Sequence, residues 1–245
     1  MRTTITLLLI SCLSGLVSAQ STAYVINAGP TLGLQKWDNG GDRQILFKYH
    51  VALAIESVDN EDDKSAMFMQ VGYHVKGSAN RTHFLFTNGG AGTYSREFLF
   101  NNLSLALGAK QKFATKAGGQ SRYFYYGALR CDYTLSTNID ELGTQFGYID
   151  YSAPQVGFMN RWMFGLSIGG GWQFPLSELI GGQITLSVCP DVTNQYRQPA
   201  IPNVINNNPG SGGGTITIPE QRIRNTAVEV SFGIRLLHKV ELVDY

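Results

Sequence analysis

The sequence predicts an all-β fold: a transmembrane, antiparallel, up-and-down β-barrel of about eight strands, preceded by a cleaved signal peptide. Three observations predict it. A basic and then apolar leader opens the chain, about eight segments alternate apolar and polar residues with a period of two, and the connections between them alternate short and long.

The leader comes first. Arg2 supplies the positive start, an apolar stretch opens at Ile5 and runs on to Val17, and Val17-Ser18-Ala19 presents small residues for signal peptidase. Residues 1–19 read as the signal peptide, and residues 20–245 as one barrel domain. Leu9-Ile10-Ser11-Cys12 offers a competing lipoprotein box with Cys12 acylated, but the apolar run ahead of Cys12 is short and a good cleavage site follows it. No later apolar run reaches the length of a membrane-spanning helix.

Composition agrees with a barrel. The chain holds 28 Gly, 12 Tyr and 13 Phe against 8 Pro and 15% charged residues. Barrels use such a mixture, with rings at the membrane interfaces. A net charge of +1 argues against nucleic acid as a partner. Beyond Cys12 the cysteines are Cys131 and Cys189, which fall on opposite strand phases and so predict no disulfide.

The alternation assigns the strands in order, because successive side chains of a strand point to opposite faces. Ile26 to Leu34 opposes Asn27, Gly29, Thr31, Gly33 and Gln35. Ile45, Phe47, Tyr49, Val51, Leu53 and Ile55 oppose Lys48, His50, Ala52, Ala54 and Glu56. Met67 to Val75 opposes Phe68, Gln70, Gly72, His74 and Lys76, and Leu103 to Ala109 opposes Asn102, Ser104, Gly108 and Lys110. Tyr123, Tyr125, Leu129, Cys131 and Tyr133 oppose Arg122, Tyr126, Arg130 and Asp132. Trp162, Phe164, Leu166, Ile168, Trp172 and Phe174 oppose Arg161, Gly165, Ser167, Gly169 and Gln173. The last two rows are Ile184, Leu186 and Val188 against Gln183, Thr185, Ser187 and Asp191, and Val228 to Leu236 against Glu229, Ser231 and Arg235. Each is about ten residues long, enough for a tilted strand to cross hydrocarbon. A soluble β-sandwich also alternates, but small residues crowd the polar rows here and aromatics stand at the ends of the apolar rows (Tyr24, Trp162, Trp172, Phe174).

Connections 57–65, 111–121 and 175–182 are short, whereas 77–95, 136–160 and 192–225 are long; only 36–43 breaks the pattern. Outer-membrane barrels have short periplasmic turns and long extracellular loops, which predicts that the long set lies outside the cell and both termini in the periplasm. Asn206 to Gly214 reads as a flexible loop tip.

Several segments resemble the Bacteroidetes outer-membrane β-barrel family that includes PorT-like proteins. They are Gly29-Pro30-Thr31-Leu32-Gly33-Leu34, Tyr49-His50-Val51-Ala52-Leu53 and Gln70 to Gly77, continued by 101–112, 165–173 and 230–235. Gln20 directly after the cleavage site is in the same style. The continuation through His238 to Tyr245 departs from barrels that end on the last strand's aromatic residue. The resemblance implies fold and an outer-membrane location, rather than a part in protein secretion.

Chemistry is sparse. If the second hairpin turns near Asn60, His74 falls across from Lys48 with His50 one pair further in, so Lys48, His50, His74 and Lys76 form a candidate basic cluster in the lumen. Its functional reading is a site for an anionic group, such as a lipopolysaccharide phosphate or a partner's carboxylates. The competing and favoured reading is an internal plug, in which Glu56, Asp132, Asp191 and Glu229 answer Lys110, Arg122, Arg130, Arg161 and Arg235, because isolated buried charges are costly. His83 near Ser95, Asp140, Glu141 or Asp150 offers a weak case for a lipid-modifying enzyme. No Cys/His spacing suits zinc, no glycine run opens a helix, and residues 59–63 lack the later ligands of a calcium loop. No cofactor is expected.

An eight-stranded barrel is filled by its own side chains, so no diffusion pore is expected. The function read from the sequence is that of a structural or interaction protein of the cell outer membrane. It presents extracellular loops, with Phe84, Leu85, Phe86, Tyr148 and Tyr151 as candidate contacts; its partners are outer-membrane lipid and an envelope protein complex, and it reads as accessory to a secretion or transport complex. The alternatives are a lipid-A or phospholipid-modifying enzyme and a small-solute channel.

Overall fold

The computed structural model describes residues 21–38, 43–58, 64–85, 89–114, 121–139, 141, 155–205 and 214–239. The leader 1–19, and with it Cys12, lies outside them, as do 59–63 and the loop tip 206–213. Seven strands follow one another as antiparallel neighbours: β1 (Ser21–Trp37), β2 (Leu46–Val58), β3 (Ser65–Leu85), β4 (Ala91–Ala114), β5 (Arg122–Thr137), β6 (Trp162–Pro175) and β7 (Ile180–Pro190). Three short strands come next, β8 (Tyr196–Gln198), β9 (Ile201–Ile205) and β10 (Thr215–Ile218), and then the long β11 (Gln221–Lys239). β11 pairs with both β7 and β1, so eight strands close into a ring with no free edge. Each predicted segment corresponds to one of these eight strands, with Ile45, Arg161 and Asp191 falling one residue outside β2, β6 and β7.

Burial is inverted relative to a water-soluble fold. Lys76, Asp132, Arg130 and Glu229 are buried, while Leu53, Leu129, Phe232 and Ile168 stand on the outside with more than half their surface open. Charged side chains are almost never fully buried unless paired, and broad exposed apolar surfaces mark a contact with something greasy. Here the apolar surface runs right round the ring and carries aromatic rings at two levels. Near the short-turn end stand Tyr24, Phe113, Tyr123, Tyr125 and Trp172; near the other stand Phe47, Tyr49, Tyr73, Tyr133 and Trp162. On β5 the two levels, Tyr123 and Tyr133, are ten residues apart in sequence. At roughly 3.4 Å per residue and about 40° of tilt that spans about 26 Å, the height of a membrane-crossing apolar band. The chain is a transmembrane β-barrel.

Close strand approach is set by glycine in the first strand. A Cβ on Gly29 would drive into the carbonyl of Val230 on β11, so this seam closes only with hydrogen at that position. Pro30, next to it, has no N–H to donate to the ladder.

Three features differ from the expectations. The connection 77–95 is mostly strand: β3 runs to Leu85 and β4 starts at Ala91, paired throughout. The connection 192–225 is also structured, since β8 pairs with an upward extension of β11, and β9 with β10 forms a separate hairpin. In both, backbone pairing continues where alternation of side-chain character lapses, because outside the bilayer neither face of a strand has to be apolar. Thirdly, His74 faces His50 and not Lys48. The register of β2 against β3 is displaced by two residues from the expected one; an even slip leaves every side chain on its expected face.

Candidate functional site

The inward rows of the eight strands meet in the lumen and form stacked polar tiers. Nearest the short turns, Lys110 of β4 pairs with Glu56 of β2, and Arg235 of β11 approaches the same carboxylate at 3.5 Å. Lys110 also lies 4.5 Å from the centre of the Phe124 ring.

The next tier holds the histidines. His50 and His74 stack with centroids 5.5 Å apart and planes 9° from parallel. His74 Nδ1 is 2.7 Å from Glu229 of β11. His50 is bracketed by hydroxyls, Thr31 at 3.0 Å on Nδ1 and Ser231 at 2.8 Å on Nε2. Cys189 approaches the same carboxylate of Glu229 and lies 3.3 Å from Ser167.

Above this, four charges cancel. Lys76 donates to Asp132 and to Asp191, the latter at 3.0 Å; Arg130 donates to Asp132 at 3.1 Å and to Asp191 at 2.6 Å. A polar layer then closes the top. Asn225 donates to Asp191 at 3.2 Å and to Gln195, Gln195 donates to Thr134, and Gln35 links Asn225 to Ser78 and Trp37. A cavity of about 40 Å³ remains among His50, His74, Glu229, Cys189 and Tyr126, room for only a few waters.

Of the four residues of the candidate basic cluster, the fold brings His50 and His74 together. Lys76 sits one tier higher between two aspartates, and Lys48 stands at the rim, 2.9 Å from Glu97. Among the plug residues, Arg161 is exposed and donates to the Tyr133 hydroxyl at 3.3 Å, because it precedes β6 at the rim rather than lying within it. Phe84 and Leu85 are paired strand residues opposite Gly92 and Ala91; Phe86, Tyr148 and Tyr151 lie outside the described residues, as do Asp140 and Asp150. His83 pairs in the ladder with Thr93. Cys131 and Cys189 are free thiols on opposite faces of the wall. Sequence reasoning did not find Gln195 or Glu97. Gln195 leaves the loop after β7 to enter the lumen, and no period marks such a residue.

Ser231 and His50 have the separation of a nucleophile and a base, but the far nitrogen of His50 meets a threonine instead of an orienting carboxylate. Among the described residues, no group of three or more His, Cys, Asp or Glu is placed to hold a metal ion. What the tiers do is tie opposite strands together by ion pairs and hydrogen bonds across the lumen.

No family model matches the chain, and no curated protein sequence is significantly similar to it. Solved structures with a related shape include Neisserial surface protein A, at a TM-score of 0.42 and 10% identity over 87% of this chain and 97% of that one. The outer membrane protein OprG of Pseudomonas aeruginosa is similar at a TM-score of 0.40 and 11% identity, over 89% of this chain and 97% of that one. The N-terminal β-barrel domain of Pseudomonas aeruginosa OprF is similar at 0.39 and 10%, over 89% and 97%. On its own geometry, then, this chain is an eight-stranded antiparallel barrel with a lipid-facing wall and a lumen crossed by buried ion pairs.

Proposed function

We propose that the chain is an outer-membrane β-barrel that conducts nothing and serves as a structural or interaction protein, accessory to an envelope complex. The observation that carries the first part is the Lys76–Asp132–Asp191–Arg130 tier, which joins β3, β5 and the end of β7 straight across the lumen. Opening a path would separate these buried charges from their counter-charges, at several kcal/mol per ion. A sheet that spans a membrane must close, since every backbone group of a spanning segment must be paired within the protein, and closed barrels with an outward apolar band between aromatic girdles are of the outer-membrane type. The PorT-like resemblance of residues 29–34, 49–53 and 70–77 supports the same location.

The interaction role is supported by the strands that overshoot the bilayer. β3 and β4 rise together past the outer aromatic level to Leu85 and Ala91, and β9 and β10 form a second hairpin carrying exposed Ile205 and Ile216. A rigid wall presenting paired projections suits holding a partner better than turning over a substrate. Two measurements test this. The purified barrel should leave planar bilayers silent, and steady conductance steps would refute a sealed lumen. Mild detergent extraction should recover it with another envelope protein; a lone monomer, together with no phenotype on shortening the β3–β4 and β9–β10 hairpins, would refute the accessory role.

A further inference from the structure

The outer wall above the apolar band is not uniformly neutral. On β1 and β11 the lipid-facing phase passes upward from Leu34 to Lys36 and Asp38, and from Val228 and Thr226 to Arg224 and Arg222. Lys36 lies directly opposite Arg224 in the register. Like charges directly opposite one another on neighbouring strands destabilise a sheet. Among the described residues neither makes an ion pair: Arg224 donates through Nε and Nη2 to the side-chain oxygen of Asn194, both at 3.3 Å, which fixes its plane without neutralising it. Arg222 is held by Glu220 at 2.8 Å, and Arg197 of β8 reaches the same carboxylate at 3.6 Å. Counting Asp38 and Glu220 against Lys36, Arg197, Arg222 and Arg224, the patch keeps an excess of positive charge. Lys36, Asp38, Asn194, Arg222 and Arg224 enclose a surface cavity of about 120 Å³.

We propose that this cavity is a docking site for the phosphate group of an anionic lipid in the leaflet nearest the long connections. The height is right for it. The apolar wall ends just below, at Leu34 on β1, Ile45 ahead of β2 and Val192 after β7, all exposed, so a lipid whose chains lie on these residues carries its headgroup to Lys36 and Arg224. The chemistry is right as well. A guanidinium fixed in plane and a neighbouring ammonium together match the oxygens of a phosphate, and both become paired in doing so. Occupation would also relieve the Lys36–Arg224 repulsion across the β1–β11 seam that closes the barrel. The site rests on the outer-membrane reading given above, because only a lipid beside the wall can use both the apolar surface and the charges.

Retention of bisphosphorylated lipid A by the detergent-solubilised barrel, read by native mass spectrometry, tests the proposal. Wild-type protein should retain this lipid, and dephosphorylated lipid A should be held about tenfold more weakly, as for the loss of one charge-assisted contact. The double variant Lys36→Gln with Arg224→Gln should lose a similar factor while keeping its heat-modifiable, folded electrophoretic mobility. Equal retention of the two lipids, or of the first lipid by variant and wild type, would overturn the site. Displacement of the lipid by millimolar inorganic phosphate would show a soluble anion as the ligand and overturn the assignment to lipid. A chain that stays dissolved without detergent would overturn the membrane reading and the site with it, and that shows before any lipid is added.

Discussion

Lys76 on β3 and Asp191 at the end of β7 meet in the centre of the barrel 3.0 Å apart, although 115 residues separate them in the chain. Both are almost completely buried, and Arg130 and Asp132 complete a neutral set around them. Removing one member of a buried set strands a charge. The variant Asp191→Asn should therefore lose about 3–5 kcal/mol of stability. Adding Lys76→Met should restore most of it, because Arg130 and Asp132 then balance alone. Urea unfolding from lipid vesicles, followed by tryptophan fluorescence, checks this; no recovery in the double variant would mean that the loss has another cause.

Packing of the strands yields a second expectation. Gly29 faces the Val230 carbonyl so closely that Gly29→Ala must push β1 from β11, at a cost of about 1–3 kcal/mol. Gly127 on β5 has nothing within 4 Å of where a Cβ would stand, so Gly127→Ala should stay within about 0.5 kcal/mol of wild type. Equal effects of the two substitutions in the same unfolding assay would show that seam closure is not tightest at Gly29.

The inside and outside of each strand were legible because a period of two is a local property. Glu56, Asp132, Asp191 and Glu229 were placed inward from their neighbours alone, and the fold buries all four. Which inward residues touch is another matter, since it depends on register. The opposition of His50 and His74 hangs on a turn whose residues carry no distinctive signal, and two residues of slip exchanged Lys48 for His50 as the neighbour of His74. Arg161 shows the limit at the rim, where one position separates an inward side chain from an exposed one. Above the band neither face needs to be apolar, so the upper parts of β3, β4 and β11 lose the alternation that marks them lower down.

The two thiols report on the wall from opposite sides. Cys189 faces the lumen and is buried, whereas Cys131 shares the outward phase of Leu129 and Tyr133. A bilayer-soluble maleimide should label Cys131 in folded protein in vesicles and reach Cys189 only after unfolding. Electrophoretic mobility should be the same with and without reductant. Labelling of Cys189 at a comparable rate in folded protein would mean that the lumen is open to molecules of that size.

Depth in the membrane provides the sharpest test of the orientation of the wall. Leu129 stands outward on β5, between the rings of Tyr123 and Tyr133, and is 70% exposed in the isolated barrel. If lipid covers it, Leu129→Arg brings a guanidinium to mid-band and should cost about 2–4 kcal/mol. Leu176 is similarly exposed, at 62%, but lies in the turn after β6, beyond the ring level of Trp172 and Phe174. Leu176→Arg should therefore cost only about 0–1 kcal/mol. In water both positions would tolerate arginine equally, since the two leucines are alike in exposure and in chemistry. Only a hydrocarbon layer of limited height makes one substitution expensive and the other nearly neutral, so the difference in folding free energy between the two variants in vesicles measures the wall's contact with lipid directly.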